Sequence, residues 1–236
     1  MINVNHLTKV YGNHEAVSDV SFTVETGKIY GLLGQNGAGK STTMNMITGY
    51  IAPTKGNVMV DGYDILKDAN KAKALIGYLP EQPPLYPDMT IREYLSFVAE
   101  LKGVKKADIN DHIQSVMEQT KVLDMAERLI KNLSKGYKQR VGIAQTMLGR
   151  PEVIILDEPT VGLDPIQITE IRTLIRDLKK EHTVIISSHI LSEIQEVCDH
   201  VFILSNGKLV LSRPMSEIGE DLEETFIRTA MKEEEN

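Results

Sequence analysis

Gly34-Gln35-Asn36-Gly37-Ala38-Gly39-Lys40-Ser41-Thr42 follows an apolar run, Ile29-Tyr30-Gly31-Leu32-Leu33, and precedes residues with helical spacing. The pattern G-x-x-x-x-G-K-S between a strand and a helix is the setting in which a loop cradles a polyphosphate. Glycines at 34, 37 and 39 let the backbone turn its N–H groups inward, where side chains would block phosphate oxygens. Lys40 then reaches the β and γ phosphates, and the Ser41 hydroxyl can ligate magnesium. The alternative is a flexible turn that merely precedes Lys-Ser.

Glu152-Val153-Ile154-Ile155-Leu156-Asp157-Glu158-Pro159 reads as a strand buried on both faces and ending in two carboxylates. The carboxyl end of a parallel strand borders the crevice where α/β sheets bind ligands, so these carboxylates stand level with the phosphate loop. Asp157 suits the magnesium shell, and Glu158 can accept a proton from an attacking water. His189 ends another apolar run, Thr183 to Ser187, and shares that edge. Ser134 is placed as the N-cap of a helix, bringing a hydroxyl, free N–H groups and a positive dipole end together. That is an anion site in principle, and read alone a simple cap.

The elements that must hold these groups read as α/β. Residues 2–10 and 17–25 are strands with a turn at Asn13-His14, an N-terminal antiparallel β subdomain. Tyr11 lies in that link, where a lone tyrosine is more often packing than ligand contact. The strand at 28–33 feeds the loop, Ser41 to Gly49 is its helix, and Asn57 to Gly62 is a further short strand. Ile76 to Pro80 is a buried strand. Thr90-Ile91-Arg92-Glu93 has the form of a capping box and starts a helix carrying Leu95, Val98 and Leu101. Residues 83–150 form a largely helical insertion lobe, and Asp164-Pro165 starts a further helix. Asn206-Gly207 is a two-residue hairpin turn. Strands and helices alternate, so the expected fold is a P-loop NTPase core built on a mostly parallel, three-layer sheet.

Composition narrows the classes further. The chain has 236 residues and a formal charge of −7, which argues against general nucleic-acid binding because there is no basic excess to release counterions. The acidic residues from Glu217 onward carry most of that charge, and Leu222, Phe226 and Ile227 are spaced as one face of a tail helix. The single cysteine, Cys198, is expected to fill apolar space in a reducing compartment. No apolar run approaches the ~20 residues needed to span a bilayer. Met1 to His6 lacks the pattern of a signal peptide.

With these residues placed, the chain resembles the ATP-binding subunit of an ATP-binding cassette (ABC) transporter over about residues 2–212. The resemblance rests on GQNGAGKST at 34–42, LSKGYKQR at 133–140, VIILDEP at 153–159, GLD at 162–164 and His189, in one order and spacing. IGYLPE, LYPDMTIREYLSFVAELKGV, LSKGYKQRVGIAQ and DLEETF are similar to the multidrug, antibiotic or gliding-motility ATPases that drive ABC-2 exporters. The implied organisation is an ABC ATPase domain at 1–212, with its helical subdomain at about 83–150, and an acidic, helical tail at 213–236.

The resemblance also implies a mechanism. Two cassettes close head to tail around ATP and Mg2+, each nucleotide lying between the phosphate loop of one copy and the signature helix of the other. Tyr11 would stack on adenine. Gly34 to Thr42 would hold the phosphates, with Ser134 and Gly136 of the other copy, and Asp164 would link the two sites. Lys40, Glu158 and His189 would act in hydrolysis, and Ser41 and Asp157 would hold magnesium. The implied partners are a second copy or homologous cassette and separate transmembrane permease chains, on the inner face of the cell membrane.

Two departures stand out. The family signature LSGGQ has Lys135 and Tyr137 at its third and fifth positions here. Where the family has glutamine after the proline of the GYLP strand, this chain has Glu81, with Gln82 one step later; register favours Glu81 near magnesium. Leu85, Tyr86 and Met89 follow, as contacts for a permease helix or as lobe packing. A soluble cassette acting on ribosomes or DNA is the competing reading, although the second cassette or basic insertions of such relatives are missing. A P-loop kinase or GTPase would lack the signature helix, and no NKxD-like guanine-reading segment is present.

Overall fold

In the computed structural model, which describes residues 1–218, 222–224 and 226, the chain opens with a hairpin. β1 (Ile2–Tyr11) and β2 (His14–Val24) pair antiparallel. The turn falls at Gly12-Asn13, one residue earlier than the sequence predicts, because Gly12 takes the positive φ of 57° that the tight connection needs. β3 (Ile29–Leu33) leads through the glycine loop into α1 (Lys40–Ile47). β4 (Lys55–Val60) and β5 (Tyr63–Asp64) are joined by Asp61-Gly62, both at positive φ. That left-handed pair ends the strand expected to run on to Gly62. The short α2 (Ala69–Ala74), absent from the sequence reading, buries only Ala72 and so has almost no apolar periodicity to reveal it.

β6 (Ile76–Leu79) precedes the lobe, which holds α3 (Ile91–Leu101), α4 (Ile109–Gln119), two single 3-10 turns and α5 (Lys135–Met147). The capping box at the start of α3 is formed in both directions. Thr90 Oγ1 accepts from the Glu93 N–H, and Glu93 accepts from the Thr90 N–H at 2.8 Å. β7 (Val153–Asp157), α6 (Pro165–Leu178), β8 (Thr183–Ser188), α7 (Leu191–Val197), β9 (His200–Ser205), β10 (Lys208–Pro214) and α8 (Met215–Ile218) complete the chain.

Two sheets result. The smaller is antiparallel, ordered β2-β1-β4-β5; the larger runs β10-β9-β3-β8-β7-β6 and is parallel except for the edge strand β10. Its central strands alternate between two cores. Ile29, Leu33, Ile154, Leu156, Val184 and Ile186 face a cluster shared with Tyr94, Leu95, Ile113 and Val141 of the lobe. Tyr30, Leu32, Val153, Ile155 and Ile185 face a second cluster with Val4, Val17 and Val58 of the small sheet and Met44 and Ile47 of α1. The lobe therefore has no separate core: it is seated on one face of the large sheet, and α1 and the small sheet cover the other.

β10 keeps pairing with β9 as far as Pro214, two residues past the position 212 at which the sequence resemblance ends. Leu222 is fully buried in the lobe-side cluster and Phe226 packs against it, in line with the expected helix face. Ile227 and the acidic run after it lie outside the described residues. Cys198 is buried beside Gly31 and fills apolar space, and burial pushes its thiol well above the ordinary value.

β6 and α5 meet at Gly77, where an added Cβ would lie 2.2 Å from the backbone oxygen of Thr146. Backbone cannot yield as a side chain can. Gly77→Ala is expected to cost about 1–3 kcal/mol, the range for overpacking a close contact, seen as a lower urea midpoint at unchanged m-value.

Candidate active site

The phosphate loop leaves β3, whose five residues are all buried, and enters α1 through Gly39 at φ 98°. A Cβ at Gly39 would come within 2.7 Å of the Ala16 carbonyl oxygen, so both backbone angle and space demand glycine. Helices α3, α5 and α6 have side-chain N-caps from Thr90, Ser134 and Asp164; α1, α2, α4 and α7 have none, and α1, unlike α4 and α7, has no acidic residue in its first turn either. Its leading N–H groups and positive dipole end are left for an outside anion.

Lys40 is the cation of this nest. Its side chain is 6% exposed, and Nζ donates to the carbonyl oxygens of Gly34 at 2.8 Å and Gln35 at 3.1 Å. Nζ also lies 3.3 Å from Glu158 Oε1, whose side chain is 8% exposed. A buried ammonium is tolerable because three acceptors surround it. A polyphosphate entering the nest offers stronger acceptors, drawing Lys40 away from Glu158.

Glu158 is held from several directions. Its φ of 48° places a non-glycine residue in the left-handed region, strain of the kind stored at functional sites. β7 and β8 pair Asp157 with Ser187, so one hydroxyl serves both carboxylate residues. Ser187 Oγ accepts the Glu158 N–H at 2.9 Å and donates to Asp157 Oδ1. His189 Nδ1 lies 3.0 Å from Glu158 Oε2. Lys40, Glu158 and His189 thus form one chain of contacts: ammonium, carboxylate, imidazole. Nearby, Tyr78 donates to Asn45 at 3.1 Å, and burial together with the Asp157 charge holds its phenol above the ordinary value.

Lys40, Glu158 and His189 open onto a cavity of about 480 Å³, in the range of small-molecule sites, whereas Asp157 is buried and absent from its lining. Asn36, Gly37, Gly39, Lys40, Ser41 and Thr42 line it, with Glu158, His189 and Glu81. Tyr11, half-exposed, stands at its rim. Gln82 is absent from the lining, and Gln35 and Ala38 back onto a smaller hollow that Phe226 helps to line. A larger hollow of about 610 Å³, lined by Lys102, Asp108, Asp111 and His112 among others, contains none of the site residues expected from the sequence, so size does not mark the site.

Ser134, Gly136 and Asp164 do not join them. Ser134 caps α5, Gly136 packs against Gln167, and Asp164 caps α6 through the Gln167 N–H at 2.9 Å. His14, Ala16 and Val161 also line the cavity, and the sequence reading passed over them. It passed over Ser187 too, whose role depends on a strand register with Asp157 that the residues alone do not display.

An uncapped phosphate-nest helix, a buried lysine and a carboxylate pair at the carboxyl edge of a parallel sheet define a P-loop nucleoside triphosphatase. A family profile described as "ABC transporter" matches residues 17–161, more than half of the chain. The bacitracin transport ATP-binding protein BcrA of Bacillus licheniformis is 42% identical over 220 residues, covering 92% of this chain and 71% of the relative. The lantibiotic transport ATP-binding protein SrtF of Streptococcus pyogenes is 36% identical over 228 residues, 96% of each chain. A solved ATP-binding subunit of an ABC transporter superposes with a TM-score of 0.87 at 30% identity, covering 97% of this chain and 99% of that one. A dimeric bacterial ABC transporter cassette superposes at 0.82 with 25% identity, covering 91% and 99%. The chain belongs to the ABC transporter family, as an ATP-binding, ATP-hydrolysing subunit.

Lys40→Ala is expected to weaken binding of a fluorescent ATP analogue at least about tenfold, the worth of one charge-assisted contact. Unchanged affinity would mean that the nest is not the phosphate site. Ser187→Ala leaves the Glu158 N–H and an Asp157 oxygen without their shared partner, and is expected to cost about 1–3 kcal/mol in denaturant unfolding.

Proposed function

We propose that this subunit drives export of an antibiotic through separate permease chains, by closing head to tail with a second cassette on ATP and reopening after hydrolysis. The observation that carries the reading is the separation within one chain of two anion-binding ends. The uncapped α1 faces the cavity, while Ser134 and Gly136 at the start of α5 lie off it. A second copy, reversed, supplies the missing half. Relatives named for bacitracin and lantibiotic transport support the export class, and a dimeric solved cassette supports pairing.

The chemistry follows from the contacts. ATP phosphates settle on the α1 N–H groups and take Lys40, which frees Glu158 Oε1. A water then attacks the γ-phosphorus, its proton passes to Glu158, and the bond to the bridging oxygen breaks to leave ADP and phosphate. His189, beside Oε2, keeps that carboxylate aimed at the water and contacts the γ-phosphate. Ser41 and Glu81 at the cavity wall, with Asp157 buried off it, would offer the hard oxygen donors that suit Mg2+, and the ion would neutralise developing phosphate charge. Tyr11 at the rim stacks on adenine, and Asp164 faces the paired copy.

Attachment to the permease falls to the segment before α3. Leu85 and Met89 pack against the lobe core, while Tyr86 stays half-exposed, edge-on to Tyr94 and Phe97 with ring centroids 6.0 and 5.7 Å away. Tyr86 is therefore the residue left to meet a partner at the inner membrane face. Among the described residues no helix is long and apolar enough to cross a membrane.

Glu158→Gln is expected to retain ATP and accumulate as a dimer on size exclusion, with turnover reduced by about 10²–10⁴, the contribution of a general base. Rapid hydrolysis by that variant would remove Glu158 from the role. Mixing in copies carrying Ser134→Ala is expected to depress the turnover of intact copies, and additive activity would exclude the shared site.

A further inference from the structure

Glu193 lies in the first turn of α7 and is 3% exposed, yet makes no ion pair among the described residues. Its partners are two hydroxyls. Thr160 Oγ1 donates to Oε1, and Ser188 Oγ donates to Oε2 at 2.7 Å while accepting the Ile190 N–H at 3.0 Å. Thr160 is the second residue after Glu158, on the stretch that leads to Asp164, and Ser188 immediately precedes His189. One carboxylate therefore ties the exit of β7 to the exit of β8, behind the side chains that meet at Glu158 and His189. An aliphatic residue would fill this buried position without the desolvation that a carboxylate suffers there. What it could not do is accept from both strand ends at once.

We infer that Glu193 is a positioning residue for ATP hydrolysis, clamping the Thr160 and Ser188 strand ends so that Glu158 and His189 keep their mutual geometry. The inference rests on the reading that Glu158 and His189 perform the chemistry. It adds a path within the chain: a displacement of the loop carrying Asp164, which faces the second copy, reaches His189 through Thr160, Glu193 and Ser188. Glu193 does not line the cavity and acts through these two hydroxyls.

The test is a double-mutant cycle on the full chain, with ATP turnover measured across ATP concentrations. Glu193→Ala is expected to lower kcat about 10–100-fold, the cost of slight misplacement of reacting groups, with KM held within about twofold because nucleotide contacts are untouched. Glu193→Gln, which keeps the shape and one acceptor oxygen, is expected to fall between wild type and Glu193→Ala. The double variant Glu193→Ala/His189→Ala is expected to be no slower than His189→Ala alone, since both remove the same alignment. A merely structural role predicts independent losses that multiply, and that outcome overturns the inference, as does wild-type kcat in Glu193→Ala. Should Glu193→Ala fail to fold, Thr160→Val and Ser188→Ala replace it in the cycle, each removing one donor, and wild-type turnover by both overturns the clamp. Wild-type turnover by His189→Ala would instead overturn the underlying site reading. Slow His189→Ala beside fully active Glu193→Ala overturns the clamp alone.

Discussion

A buried ammonium must have acceptors, and the way Lys40 meets that requirement shapes the site. Its three partners are two carbonyl oxygens of its own loop and the Glu158 carboxylate. While Lys40 holds Glu158, the carboxylate is a counter-ion. On the proposed reading, phosphate oxygens compete for the same ammonium, so that binding nucleotide and releasing Glu158 as the base would be one exchange of partners. The left-handed backbone at Glu158 and the hydroxyl of Ser187 keep the carboxylate within reach of that exchange.

Much of this was legible in the residues. Glycine spacing, an apolar strand before it and a helix after it fixed the phosphate loop, because only one backbone path suits that pattern. The lobe helices were equally visible, since the capping box at Thr90 and the apolar faces of α3 and α4 are local signals. What escaped was long-range. Ser187 and Glu193 owe their roles to partners about thirty residues away across neighbouring strand ends, and no periodicity announces such pairs. α2 escaped because it buries one alanine, and the β4 strand was placed two residues late at both ends, 57–62 against Lys55–Val60, because Asp61-Gly62 reads as strand rather than turn.

The two departures from the family signature have a visible use inside the chain. Tyr137 donates to Asp124 at 3.1 Å and lies under the Arg140 guanidinium, 5.4 Å from its ring centroid. Arg140 pairs in turn with Glu170 of α6. Lys135 extends over Gly162 in the loop before Asp164. Where the general signature has small or flexible residues, this chain has side chains that brace the start of α5 against its own surroundings.

The alternation of the central strands between two apolar clusters has a bearing on how such a chain can change over time. Since successive residues of β3, β7 and β8 belong to opposite cores, inserting or deleting one residue within a strand would exchange every aliphatic side chain between faces. It would also shift Lys40, Glu158 or His189 along the edge by one step. Hydrophobic register and catalytic alignment are thus a single variable, and length variation among descendants should accumulate in the hairpins and the lobe while these three strands keep their count.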